Sequence, residues 1–237
     1  MKFLSIDSPL MQGLSKIADL LILNLLTLLC CLPIITVGPA LTALNYMTLK
    51  MVRNEDTYIV KGFFKSFKEN FIQSTLVWLL FLVMGLLLAG DYIILSGSET
   101  QYSGVMLVLI MVAAIFEICT FLYAFPVLAK FQNTIKRTLK NAFLISIMQF
   151  PKTIVMIIIY LIPLVIFFIS FQLIPFVIFF GLSVPAWVSA KLYNKFFMKL
   201  EDQYWEANGG KPKDEDTDDE RIFRDELDES LQDKTIQ

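Results

Sequence analysis

Long apolar runs alternate with short basic segments along this chain, and the alternation predicts a membrane protein. A transmembrane helix needs about 20 mostly apolar residues, and four blocks reach that length. The fourth continues for 38 residues without a charge, which is too long for one helix, and Gln172 with Pro175 offers a turn between two spans. The predicted spans cover residues 17–37, 75–95, 104–128, 153–172 and 175–190.

The positions of the basic residues predict how these spans are oriented. Lys and Arg favour the cytoplasmic side of a membrane. Here they cluster after the first span (Lys50, Arg53, Lys61, Lys65, Lys68), after the third (Lys130, Lys136, Arg137, Lys140, Lys152) and after the last (Lys191, Lys195, Lys199). An odd number of crossings would place all three clusters inside. We therefore predict an all-α, polytopic bundle of about five spans in the bacterial cytoplasmic membrane, with the N-terminus outside and the C-terminus in the cytoplasm.

A cleaved signal peptide is the alternative for the first span, because Gly38-Pro39-Ala40 has the small-x-small spacing of a cleavage site. The apolar run is longer than the usual h-region of about 7–15 residues, and most basic residues flank its wrong end. Cleavage would also leave the residues from Lys50 to Lys68 outside. The sequence therefore favours a retained span.

Two segments between spans have the pattern of amphipathic helices at the cytoplasmic surface. In residues 60–72 an aromatic face of Phe63, Phe64 and Phe67 lies opposite a basic face of Lys61, Lys65 and Lys68. Residues 131–143 repeat the pattern less sharply. One interpretation is that each helix covers the cytoplasmic end of the bundle. The other is that the first helix docks a partner.

The chain changes character after its transmembrane helical domain, residues 1–207. Residues 208–237 are mainly acidic and bury too little apolar surface to fold alone, so they are predicted to form a disordered cytoplasmic tail. Ile222, Phe223, Leu227 and Leu231 could still line one side of a short helix. A solvated tail and a binding segment both remain open.

Few residues offer chemistry. Histidine is absent, and Cys30, Cys31 and Cys119 lie inside apolar runs, so we expect no enzymatic activity, no metal and no cofactor. Glu117, Asn24 and Tyr160 form a candidate intramembrane polar site, because polar groups at such depth are costly. Hydrogen-bonding glue between helices is the alternative role for these side chains.

Residues 32–44, with the element Thr36-Val-Gly38-Pro39-Ala40, and residues 63–71 resemble the YesL-like family. These are small membrane proteins of Gram-positive bacteria that carry a domain of unknown function, and the resemblance covers about residues 1–205. It implies an association with carbohydrate uptake and supplies no residue roles.

The leading hypothesis is an accessory subunit of a carbohydrate ABC importer. Its partners would be the lipid bilayer and ABC transporter subunits or a second copy of itself, with no nucleic acid. The alternative is a small transporter acting on its own, with Glu117 and the proline-broken spans forming a path. A membrane-bound enzyme comes third.

Overall fold

The computed structural model describes residues 9–55, 58–97, 103–131, 133–169 and 171–207. The acidic tail of residues 208–237 lies outside this described part. Within it the chain forms nine α-helices and no strand. These are α1 (Pro9–Cys31), α2 (Val37–Arg53), α3 (Ile59–Glu69), α4 (Phe71–Ser96), α5 (Ser103–Lys130), α6 (Ile135–Met148), α7 (Phe150–Ile169), α8 (Ile174–Phe180) and α9 (Ser183–Ala207).

The prediction of an all-α bundle with about five spans is confirmed in its helical class and in having four to five long apolar helices that could cross a membrane. By length and composition, α1, α4, α5 and α7 are long and apolar enough to cross a membrane. A fifth candidate is α8 together with α9, which are bent by 49° at their junction. The predicted span of residues 175–190 is therefore not one straight helix.

The first predicted span ends earlier than residue 37. Helix α1 stops at Cys31, a 3₁₀ turn follows at Ile34–Thr36, and α2 begins at Val37. Pro33 explains the stop, because a proline lacks the backbone N–H that a continuing helix would use. Thr36 closes the turn, since its hydroxyl donates to the carbonyl of Cys30 at 2.6 Å.

Helices α1 and α2 form an antiparallel hairpin, whereas the sequence predicts a single crossing in this region. Lys16, near the start of α1, donates from Nζ to Oδ1 of Asn54 at 3.0 Å. Asn54 ends α2 in the left-handed conformation, with φ 54°. A single crossing between these two residues, as predicted, would separate them by the whole membrane. The sequence could not show that the chain turns back after α1, because α2 is much less hydrophobic than α1.

The turn of this hairpin lies against the beginning of α4. Nε1 of Trp78 donates to the carbonyl of Ile34 at 2.8 Å. From Trp78, α4 continues for 18 residues to Ser96, which is about 27 Å at 1.5 Å per residue. The α1–α2 turn therefore stops far short of the opposite end of the α4–α5 pair.

Helix α2 is buried at the centre of the bundle, although the sequence placed it in a cytoplasmic segment. It contacts α1, α3, α4, α5 and α9. Its buried side chains include small and polar ones, whose hydroxyls and amides bond within their own helix: Thr42 to Gly38, Asn45 to Leu41 and Thr48 to Asn45. Such bonds satisfy polar groups without water, so a helix of ordinary hydropathy can occupy the core.

The far half of the α4–α5 pair extends beyond this core. None of residues 82–97 and 104–118 is buried. Large apolar side chains on both helices are more than half exposed, including Leu86, Ile93, Val105 and Leu109. An exposed apolar surface of this extent suits a lipid environment.

Candidate functional site

Glu117 lies on α5, facing α4. A Cβ added at Gly85 of α4 would be 3.5 Å from Oε1 of Glu117, so the glycine leaves room for the carboxyl between the two helices. The neighbouring Phe116 packs on Phe143 of α6, with ring centroids 5.8 Å apart. Glu117 thus belongs to the part of the α4–α5 pair that extends beyond the core.

Asn24 holds the junction between α8 and α9. Its Nδ2 donates to the carbonyl of Ile178 at 2.7 Å. Its Oδ1 accepts from the backbone N–H of Leu182 at 2.9 Å and of Ser183 at 2.8 Å. These are backbone groups that a helix break would otherwise leave without partners. The fully buried Asn24 therefore bonds across helices and stabilises the 49° bend.

Tyr160 lies elsewhere again, on α7 beside Ser189 of α9. The three candidate polar residues therefore have separate neighbours: α4 for Glu117, the α8–α9 junction for Asn24, and α9 for Tyr160. The structure does not bring them together into one intramembrane site.

The aromatic face of the predicted docking helix is divided between core and surface. In α3, Phe63 is fully buried against α1 and α2, while Phe64 is 39% exposed. Phe67 stacks on Phe63, with ring centroids 6.2 Å apart. On the other side Lys61 and Lys68 are exposed and Lys65 is half-buried. The core thus fixes α3 in place while its lysine face remains accessible.

A charged cluster that is largely shielded from solvent joins three helices at one end of the bundle. Arg53 at the end of α2 forms a bidentate pair with Glu201 of α9, at 3.1 and 2.7 Å, and donates from Nε to Asn194 at 2.9 Å. Lys130, at the end of α5, has its Nζ 3.9 Å from the same carboxylate. Cations are favoured at helix C-termini. We call the end of the bundle marked by Lys16, Arg53 and Lys130 the basic end.

A cleft of about 710 Å³ opens at the basic end between α5, α6, α7 and α9. One part of its lining is apolar and includes Phe131, Leu144 and Met148. The other part is polar, with three lysines and four carboxamides: Lys152, Lys195, Lys199, Asn133, Asn141, Gln149 and Gln203. Among the residues that the structure describes, no carboxylate lines the cleft. Such a surface is suited to an anionic ligand that also carries apolar groups.

Sequence reasoning missed this cleft. Lys152 and Lys195 are 43 positions apart, and each was accounted for by the preference of basic residues for the cytoplasmic side. One signal was available: Lys195 and Lys199 are four residues apart and so share a helix face. Among the described residues, no group of three or more His, Cys, Asp or Glu side chains could hold a metal ion.

Comparison with known proteins reaches only the first part of the chain. Neither the search of curated proteins nor the search of solved structures found a match. One family model matches residues 20–92, which are 73 of the 237 residues and include the second half of α1, all of α2 and α3, and most of α4. That part of the chain, with the α1–α2 hairpin, matches the family described as "Protein of unknown function, DUF624".

Proposed function

We propose that the chain is an accessory subunit in the bacterial cytoplasmic membrane that binds a carbohydrate ABC importer through the lysine face of α3. The observation that supports a docking role is the way α3 packs on the bundle. Phe63 is fully buried in the core, whereas Lys61 and Lys68 are exposed. A helix held in this way loses little entropy when a partner binds. The resemblance to YesL-like proteins supports the choice of a carbohydrate importer.

The proposed orientation places the basic end in the cytoplasm, following the preference of Lys and Arg for that side. The N-terminal start of α1 then lies inside, because Lys16 contacts Asn54 at this end. The crossings are α4, α5, α7 and the bent α8–α9 pair, while α1 and α2 enter from the cytoplasmic side and return.

The composition of the α1–α2 turn supports a turn within the lipid. Residues 32–37 contain no charge, and Leu32 is 78% exposed. Irregular backbone at membrane depth needs internal partners, and the turn has several. Among them are the bonds from Trp78 to Ile34 and from Thr36 to Cys30.

A transporter acting on its own is less well supported. Such a protein needs polar groups along one path, and Glu117, Asn24 and Tyr160 lie in three different surroundings. If liposomes that contain only this chain take up a sugar, the accessory role is wrong and the chain is itself a transporter.

The docking role is tested by charge removal on α3. Replacing Lys61, Lys65 and Lys68 with Gln should reduce co-purification of the importer subunits from native membranes by about tenfold, since each exposed ion pair with a partner contributes up to about 1 kcal/mol. The amount of inserted protein should not change, because the buried Phe63 is kept. Quantitative mass spectrometry of mild-detergent pull-downs measures both.

The matched control removes the three positive charges of α6, by Lys136→Gln, Arg137→Gln and Lys140→Gln. All three side chains are exposed. This variant should retain the importer. Equal recovery from the parent and the α3 variant would rule out α3 as the contact surface. Equal losses from both variants would point to general membrane charge instead.

A further inference from the structure

The charges of this chain are divided between its helical domain and its tail. Residues 208–237 contain eleven acidic and five basic residues, whereas residues 1–207 contain eleven acidic and fifteen basic ones. Six of the seven residues from Asp214 to Glu220 are acidic. The net charge of −2 is therefore the sum of a strongly negative segment and a positive domain.

The cleft at the basic end carries the complementary charge. Its three lysines, Lys152, Lys195 and Lys199, come from α7 and α9. Within the described ranges, no carboxylate lies within 4.0 Å of any of their ammonium groups. Concave surfaces lined by one sign of charge concentrate the potential. The cleft therefore attracts anionic groups.

We propose that this cleft binds the acidic segment of residues 214–220 from the same chain. The tail would then act as a built-in occupant that any other anionic ligand of the cleft must displace. This inference does not depend on the docking of α3 to an importer.

The connection between helix and segment is long enough. Along α9, Lys199 lies eight residues before Ala207 and Lys195 twelve, which are about 12 and 18 Å at 1.5 Å per residue. The seven steps from residue 207 to residue 214 can span about 23–25 Å. Gly209 and Gly210 lack a Cβ and so permit the sharp reversal that this path requires.

The apolar part of the cleft fits the residues that follow the acidic run. Leu144 and Met148 are 44% and 63% exposed at its edge, and Ile222 and Phe223 come directly after Glu220 and Arg221. Tethering also favours the tail over free ligands, because a short link gives an effective concentration of about millimolar. An anionic lipid headgroup is the competing occupant, and it would lack this tether.

Lysine reactivity tests the proposal directly. The purified full chain, in mild detergent without added lipid and at low salt, is acetylated briefly, and modification at each lysine is measured by mass spectrometry. We expect Lys195 and Lys199 to react about threefold or more slowly than in a chain truncated after Ala207, given the tether. Protection should disappear at about 1 M salt, where the screening length falls to about 3 Å.

A second variant keeps the full length and changes the six acids of residues 214–220 to Asn or Gln. It should react like the truncated chain, so a folding defect caused by truncation cannot account for the result. Lys136 and Lys140 of α6 are exposed outside the cleft, and their rates should be equal in all three proteins.

Two reactivity results would overturn the proposal. One is equal reactivity of Lys195 and Lys199 in the parent and the neutralised variant. The other is protection that arises only after anionic phospholipid is added and that persists in the neutralised variant, which would assign the cleft to a headgroup. A bis-maleimide cross-link between Lys199→Cys and Asp216→Cys, with the three native cysteines replaced, should give a product of single-chain mass. A product of two-chain mass alone would contradict binding within the chain.

Discussion

Replacing Gly38 with alanine is expected to destabilise the bundle severely. A Cβ at this position would overlap the backbone carbonyl oxygen of Ser74 and lie 2.8 Å from Cβ of Trp78. The obstacle is largely helix backbone, which cannot turn aside as a flexible side chain can. Overpacking a core costs about 1–3 kcal/mol or more. Because α2 crosses α4 at this glycine, the substitution pushes the two helices apart.

Thermal unfolding in mild detergent, followed by size-exclusion chromatography, measures the loss. In a chain of this length each kcal/mol lowers Tm by about 2–4 °C. Gly90→Ala is the matched control on α4, because nothing lies within 4 Å of a Cβ added there. It should be neutral or slightly stabilising, since alanine is the better helix former. A Gly38→Ala variant that melts with the parent would contradict the close crossing of α2 and α4.

Replacing Glu201 with glutamine is the second change with a large expected effect. The carboxylate contacts both Arg53 and Lys130, and the side chains of Arg53 and Glu201 are only 13% and 12% exposed. Removing one partner of a buried ion pair costs about 3–5 kcal/mol, and this largely shielded pair should approach that range because the remaining cations lose their carboxylate. Glu201→Gln would deprive two cations of this carboxylate. The ends of α2, α5 and α9 should then separate.

Asp202→Asn is the control for Glu201→Gln, because it removes a neighbouring charge that is exposed. It should change Tm little, as surface charges contribute about 0–1 kcal/mol. Arg53→Gln should cost less than Glu201→Gln, since Lys130 still balances the carboxylate. Similar melting temperatures for Glu201→Gln and Asp202→Asn would show that the cluster does not hold the three helices together.

The apolar runs predict α4 and α5 well, because a lipid-facing helix must be hydrophobic on all sides. They fail for α2. Its buried face includes Gly38, Thr42 and Asn45, which a hydropathy scale scores as ordinary. The basic residues Arg53 and Lys130 show a second limit. The sequence predicted only the side of the membrane on which they lie, and it did not show that Lys130 is only 7% exposed or that both side chains contact Glu201.

The candidate sites were predicted less well than the helices. The lysine face of α3 could be predicted, because it depends only on helical spacing within one segment. The cleft needs α5, α6, α7 and α9 to converge, and long-range packing of this kind leaves no periodic signal in any single helix. Asn24 illustrates the same limit. Its depth in a span was evident, but its partners are 154 to 159 residues away.

The most direct test of the α1–α2 hairpin is the side of the membrane on which α1 begins. Ser15 is exposed beside Lys16, and Ser15→Cys can be introduced after the three native cysteines are replaced. A membrane-impermeant maleimide is applied to intact and to permeabilised cells, with Ser96→Cys as the external control and Lys61→Cys as the cytoplasmic control. A hairpin that enters from the cytoplasm predicts that Ser15→Cys is labelled only after permeabilisation, as Lys61→Cys is. Labelling of Ser15→Cys in intact cells, together with Ser96→Cys, would contradict the hairpin and restore a first helix that crosses from outside.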